Sequence, residues 1–65
     1  MVSRIRRGGY VFVTFAGDHA PRHVHVYRDS RLVVKWDLDD DQPMQGAVGR
    51  PLRKLIQTLV EEGQL

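Results

Sequence analysis

Alternating apolar and polar positions dominate the first part of the chain and predict a β-sheet. A strand points successive side chains to opposite faces, so this period of two is typical of half-buried strands. The segment Tyr10 to Phe15 is the strongest, because it is rich in β-branched and aromatic residues. The Gly8-Gly9 pair before it favours a tight hairpin turn. Strands are predicted at about residues 3–7, 10–15, 23–28 and 32–37.

Helical spacing replaces this alternation near the end of the chain. Pro51 suits the first turn of a helix, with Gly49 or Arg50 at the cap position, and Gly63 favours its end. The spacing therefore predicts a helix over about 51–62 whose apolar stripe faces the sheet. The stripe consists of Leu52, Leu55, Ile56, Leu59 and Val60.

The predicted fold class is α+β, with an antiparallel meander of three to four strands and one C-terminal helix packed on one face. With 65 residues and no cysteine, the chain is expected to form a single domain, 1–65, without a disulfide. The stretch from Asp37 to Gly46 is predicted as a polar loop. Its aspartates resemble the start of a calcium loop, but that pattern's glycine and distal glutamate are missing, which favours a solvated acidic loop.

The loop between the third and fourth strands decides which side chains share a face. A two-residue loop would put Tyr27 opposite Leu32 and the histidines on the face of Trp36, whereas a three-residue loop would put His25 opposite Lys35. We favour the three-residue loop because it gathers apolar side chains on the packing side. The packing side would then hold Val24, Val26, Val34 and Trp36, and the open face would hold His23, His25, Tyr27 and Lys35.

All three histidines of the chain fall within seven residues, His19 to His25. His23 and His25 are about 6.6 Å apart along one face of a strand, which is close enough for two imidazoles to bind a zinc ion. Pro21 sets a turn that could fold His19 or Asp18 back to complete the set. Such a site would keep an open fourth position, as catalytic zinc sites do.

Three other interpretations of these histidines remain open. The imidazoles could act as general acid and base on a phosphodiester of RNA, with Arg22, Arg28 or Lys35 stabilising its charge. The same face could instead bind nucleic acid or a protein without catalysis, using stacking side chains and basic neighbours. Finally, the histidines could be ordinary turn and half-buried strand residues. The stacking candidates are Tyr10, Phe12, Tyr27, His23 and His25.

Charge is distributed unevenly along the chain. Residues 1–35 hold seven arginine and lysine residues against two carboxylates, and residues 36–65 hold three against six. A basic surface favours an acidic partner such as phosphate. The sequence contains no apolar run long enough to cross a membrane and no secretory leader pattern, so a cytoplasmic location without membrane insertion is expected.

The string Asp18-His19-x-Pro21-x-His23-x-His25, between an aromatic strand and a C-terminal helix, resembles a family of short bacterial domains of unknown function, domain of unknown function 4160. Members share a D-H-x-P-x-H-x-H signature and are often encoded beside another small protein in toxin–antitoxin-like pairs. The resemblance implies a cytoplasmic bacterial protein with a small cognate protein partner, or one that forms a homodimer. It implies no established reaction.

The sequence therefore predicts a small toxin–antitoxin-like module that binds a partner protein, RNA or DNA through a sheet face of histidine, arginine and aromatic side chains. The alternative is a ribonuclease toxin that depends on a metal or on His19, His23 and His25. The residues predicted to bind the partner are Tyr10, Arg22, Tyr27, Arg28 and Lys35.

Overall fold

The structure, a computed structural model, describes residues 2–15 and 22–65. Five antiparallel strands form one sheet in the order β1-β2-β3-β4-β5, and one helix, α1, follows them. The predicted α+β class, the meander and the C-terminal helix are confirmed, and the sheet has one strand more than predicted. The elements are β1 Val2–Arg7, β2 Tyr10–Phe15, β3 His23–Arg28, β4 Arg31–Asp37, β5 Gln42–Gly46 and α1 Arg50–Glu61.

The additional strand, β5, occupies a stretch that was predicted as a polar loop. It pairs antiparallel with β4, with Trp36 opposite Pro43 and Val34 opposite Gly46. All five of its residues are exposed. Because neither face of this edge strand is buried, its sequence has no apolar alternation to reveal it, and an edge position also tolerates proline.

The hydrophobic core lies between one face of the sheet and α1. Pro51 lies in the first turn of the helix, as predicted, and of the two predicted cap positions Gly49 is the N-cap. Val60 was predicted on the buried stripe, but it is 45% exposed, so the buried face is narrower than its spacing suggested. The buried cluster consists of Phe12, Val24, Val26, Val34 and Trp36 from the sheet and Leu52, Ile56 and Leu59 from the helix.

A β-bulge sets the register between β3 and β4. The turn itself has two residues, Asp29 and Ser30, both at positive φ. The predicted three-residue loop is therefore wrong. The register then shifts next to Tyr27, which leaves Val33 as an extra residue on β4. Beyond the bulge the predicted pairs are confirmed: Val26 with Val34, His25 with Lys35 and Val24 with Trp36.

A paired arginine and glutamate connect the first hairpin to the end of the helix. Arg7 donates to both carboxylate oxygens of Glu62, at 3.1 and 3.0 Å. The hydrogen bond and the charge of Arg7 lower the pKa of Glu62, and Glu62 in turn raises the pKa of Arg7. Within residues 2–15 and 22–65, no helix has the length and apolar content needed to span a membrane.

Candidate functional site

The sheet face opposite α1, called here the open face, carries the candidate chemistry. Directly opposed residues on paired strands project to the same face. Arg4 is opposite Val13, Val13 is opposite His25, and His25 is opposite Lys35. One row across the sheet therefore presents a guanidinium group, an imidazole and an ammonium group on the open face.

A second row runs parallel to the first, two residues along each strand. Arg6 is opposite Val11, and Val11 is opposite Tyr27. Beyond the first row, Phe15 is opposite Val2, and both are partly exposed. Much of this surface is concave and encloses a cleft of about 900 Å³. Its lining on the open face comprises Val2, Arg4, Arg6, Val11, Val13, Phe15 and Tyr27.

The histidines of β3 belong to an aromatic cluster on the open face. The ring centroids of His23 and His25 are 5.2 Å apart, with their planes at 69°. The ring of Phe15 meets His25 edge to face at 5.5 Å. Both histidines are half-buried. The predicted emergence of His23 and His25 on one face, together with Tyr27 and Lys35, is thus confirmed by the register and burial of β3 and β4.

The other predicted members of the histidine site, Asp18 and His19, lie outside the described residues, as does Pro21. The predicted closure of Asp18 or His19 over His23 and His25 therefore stays a prediction. Among residues 2–15 and 22–65, no group of three or more metal-binding side chains comes together. The described part of the chain thus supplies at most the histidine pair of β3 to the predicted zinc site.

Some basic side chains on other surfaces are engaged, whereas Arg31, Arg50 and Lys54 form no side-chain hydrogen bond or ion pair within the described ranges. Arg7 binds Glu62, and Arg53 lies 3.8 Å from a carboxylate oxygen of Asp41 while its guanidinium carbon is 5.7 Å from the ring centroid of Trp36. The open face carries further unpaired cations among its described residues. Within the described ranges, three cations of this face form no hydrogen bond or ion pair: Arg4, Arg6 and Lys35.

Two carboxylates of the described ranges, Asp37 and Asp29, lie on or beside the open face. Asp37, on the same face at the end of β4, is only 4% exposed. Its Oδ1 accepts the backbone N–H groups of Asp39 and Asp40 at 2.9 and 3.0 Å, so this carboxylate organises the turn into β5. The other acidic residue near the face, Asp29, lines the end of the cleft. Arg4, Arg6 and Lys35 outnumber these two carboxylates, so the described part of the open face is basic, with aromatic and aliphatic side chains between its charges.

The structure separates the five residues predicted to bind a partner. Tyr27 and Lys35 lie on the open face, but Tyr10 packs partly against the core on the helix side. Arg28 donates to the Tyr10 hydroxyl at 3.4 Å, and its guanidinium carbon is 5.3 Å from the Tyr10 ring centroid. Arg22 precedes β3, where its backbone N–H donates to Asp39.

The predicted group of stacking side chains is also wrong in part, because one more of its members lies on the helix side of the sheet. Phe12 is fully buried in the core, on the face opposite Tyr27. Sequence reasoning, in turn, missed Arg4, Arg6 and Phe15 as members of the open face. A signal for them existed, because a two-residue turn at Gly8-Gly9 fixes the β1–β2 register and places these side chains beside Val11 and Val13.

Comparison with protein-family models, curated proteins and solved structures finds no match for this chain. The resemblance to the family of short bacterial domains stays a prediction. The structure itself shows a five-stranded sheet that presents a basic, aromatic open face, with the helix covering its other side.

Proposed function

We propose that the open face binds single-stranded nucleic acid. The observation that carries the proposal is the placement of Arg4, Arg6 and Lys35, which have no partner within the described ranges, around the rings of Phe15 and Tyr27. Cationic side chains neutralise backbone phosphates, and exposed aromatic rings stack on bases. This combination is typical of sheet surfaces that hold single strands.

A single strand fits this surface better than a duplex does. The faces of paired bases are covered by their neighbours in a duplex, so stacking on Phe15 or Tyr27 requires unpaired bases. The major groove of a duplex is read by an inserted helix or a two-stranded ribbon. In this structure the binding groups lie on the face of a five-stranded sheet instead.

The proposal is tested by fluorescence anisotropy with a labelled oligouridine, measured at several salt concentrations. Each phosphate contact on a single strand contributes about −0.7 to the slope of log K against log salt. Three cations should therefore give a slope of about −2. An oligodeoxyuridine of equal length shows whether the 2′-hydroxyl contributes.

Matched charge variants distinguish binding at the open face from nonspecific binding through the overall positive charge of the protein. Arg4→Gln and Lys35→Gln should each weaken binding and reduce the salt slope by about 0.7, because each removes one phosphate contact. Arg50→Gln and Lys54→Gln remove the same charge from exposed positions of α1 and should leave binding nearly unchanged. Equal losses in all four variants, or no binding by the unmodified protein, would contradict the proposal. No binding would favour a protein partner for this face.

A second candidate function, cleavage of RNA, is favoured by the adjacency of His23 and His25, whose ring centroids are 5.2 Å apart, and by Lys35 opposite His25. One imidazole would take the proton of a 2′-hydroxyl as its oxygen attacks the phosphorus. The other would protonate the departing 5′-oxygen, and Lys35 would stabilise the negative phosphorus intermediate. The products would be a cyclic 2′,3′-phosphate and a free 5′-hydroxyl.

Cleavage is tested by incubating labelled RNA with the protein and separating the products. His23→Ala and His25→Ala should each abolish cleavage while retaining affinity within a fewfold, and DNA of the same sequence should remain intact because it lacks the 2′-hydroxyl. Activity lost to a chelator and restored by zinc would indicate the metal-dependent route instead. Intact RNA after prolonged incubation would leave binding as the function.

A further inference from the structure

The two rows of the open face differ in how much room they leave between their side chains. In the first row, Val13 lies between Arg4 and His25 and also lines the cleft, but it is only 7% exposed, so little of its surface is accessible. In the second row, Val11 lies between Arg6 and Tyr27 and is half-buried, and all three line the cleft. The second row therefore keeps an accessible gap with a valine floor, called here the Val11 slot.

The dimensions of the Val11 slot suit one planar ring. Neighbouring strands lie about 4.8 Å apart, so the backbones that carry Arg6 and Tyr27 are about 10 Å apart across Val11. A ring held between two flat groups needs about 3.5–4.0 Å on each side. Both walls of the slot carry flat groups, a guanidinium and a phenol, and both kinds stack on aromatic rings.

Hydrogen-bonding chemistry at the end of the cleft narrows the choice of ring. Asp29 and Ser30 line that end, and Asp29 forms no hydrogen bond or ion pair with any residue of the described ranges. An ionised aspartate only accepts hydrogen bonds, and its two oxygens can accept two parallel donors. Guanine presents two adjacent donors, N1–H and N2–H₂, on its pairing edge, whereas uracil presents one.

We infer that the Val11 slot binds one guanine base of a single strand, stacked between Arg6 and Tyr27 and held by the carboxylate of Asp29. The inference rests on the proposed function, since it assigns a base-selective position to the same open face. Arg4, two residues from Arg6 on the same strand, is available for the neighbouring phosphate.

The test compares labelled oligouridines that are identical except at one central position, which carries uridine, cytidine, guanosine or no base. We expect the guanosine oligonucleotide to bind on the order of tenfold more tightly than the unsubstituted one, as for a good bidentate pair. Asp29→Asn should reduce this preference to about onefold, because an amide offers only one acceptor. The asparagine suits the positive φ of this position, so the variant should fold.

A second variant fills the slot without removing charge. Val11→Phe should abolish the guanosine preference and preserve the salt slope, because the phosphate contacts remain. Val60→Phe makes the same change on the exposed side of α1 and should alter neither property. Equal affinity for all four oligonucleotides, or a guanosine preference that survives Val11→Phe or Asp29→Asn, would overturn the inference.

These outcomes separate the inference from the proposed function. Salt-dependent binding without base preference would reject the guanine slot and leave single-strand binding intact. No salt-dependent binding to any of the oligonucleotides would reject both.

Discussion

His25 lies directly opposite Lys35 in the antiparallel ladder between β3 and β4. The adjacent position on each strand, Val24 and Trp36, forms the next pair and points into the core. Because strand side chains alternate, a shift by one residue would exchange the two sets and bury the imidazole. The bulge at Val33 sets this register, so it also determines which chemistry reaches the open face.

One residue of the turn that precedes this bulge, Ser30, has a backbone conformation that reduces the stability of the protein. Ser30 has φ 65°, a left-handed conformation that costs an L-residue roughly 1–2 kcal/mol and that glycine adopts freely. Ser30→Gly should therefore raise the free energy of unfolding by up to about 1 kcal/mol once the greater freedom of glycine in the unfolded chain is included. Chemical denaturation followed by Trp36 fluorescence measures the change. A loss of stability would show that the hydroxyl has a structural role.

Gly46 and Gly9 have similar backbone conformations but differ in how closely other atoms approach them. Their φ angles are nearly equal, 85° and 82°. A Cβ at Gly46 would lie 2.3 Å from the carbonyl oxygen of Val33, whereas a Cβ at Gly9 would meet nothing within 4 Å. Gly9→Ala should cost about 1–2 kcal/mol from φ alone. Gly46→Ala should cost at least about 1–3 kcal/mol more, because β5 must move away from β4. Equal losses in thermal unfolding would contradict the close approach of β5 to β4.

The ion pair of Arg7 and Glu62 predicts a pH-dependent contribution to stability. Arg7 lowers the pKa of Glu62 in the folded protein, so the folded state binds that proton less readily than the unfolded state does. The stabilisation is present above the ordinary glutamate pKa of about 4.3 and is lost as pH falls through the lowered folded value. Glu62→Gln should therefore destabilise the protein at neutral pH, and the difference from wild type should vanish in acid.

The neighbouring glutamate supplies the control for this measurement. Glu61 is exposed and forms no ion pair within the described ranges, so Glu61→Gln should show little difference from wild type at either pH. Because the Arg7–Glu62 pair is also exposed, added salt should shrink its effect. An effect of Glu62→Gln that persists in acid would point to packing rather than charge.

The sequence was sufficient to locate the strands and the helix that bury one face. Strands β2, β3 and β4 and helix α1 each place apolar residues at the period of their own geometry, so pattern alone located them. Strand β5 left no such pattern because it is exposed on both faces. The bulge could not be detected from the sequence either. A two-residue turn followed by a bulge gives the same residue pairs, from Val26 with Val34 onward, as the predicted three-residue loop does.

The site was predicted correctly only where a single strand determined it. The positions of His23, His25 and Tyr27 follow from alternation within β3. The contributions of Arg4 and Arg6 depend on how β1 pairs with β2, and arginine on an edge strand is equally well explained as protection against edge-to-edge association. Partners across strands are set by register, which one strand's sequence does not specify.

The most direct test of the central claim is to follow the valine methyl groups by NMR while a single-stranded oligonucleotide is added. Val11 and Val13 lie on the open face, and Val24 and Val26 lie in the core under the helix. We expect saturable shifts of the Val11 and Val13 methyl signals, with those of Val24 and Val26 nearly unmoved. Shifts confined to the helix side, or no shifts at low salt, would contradict that claim.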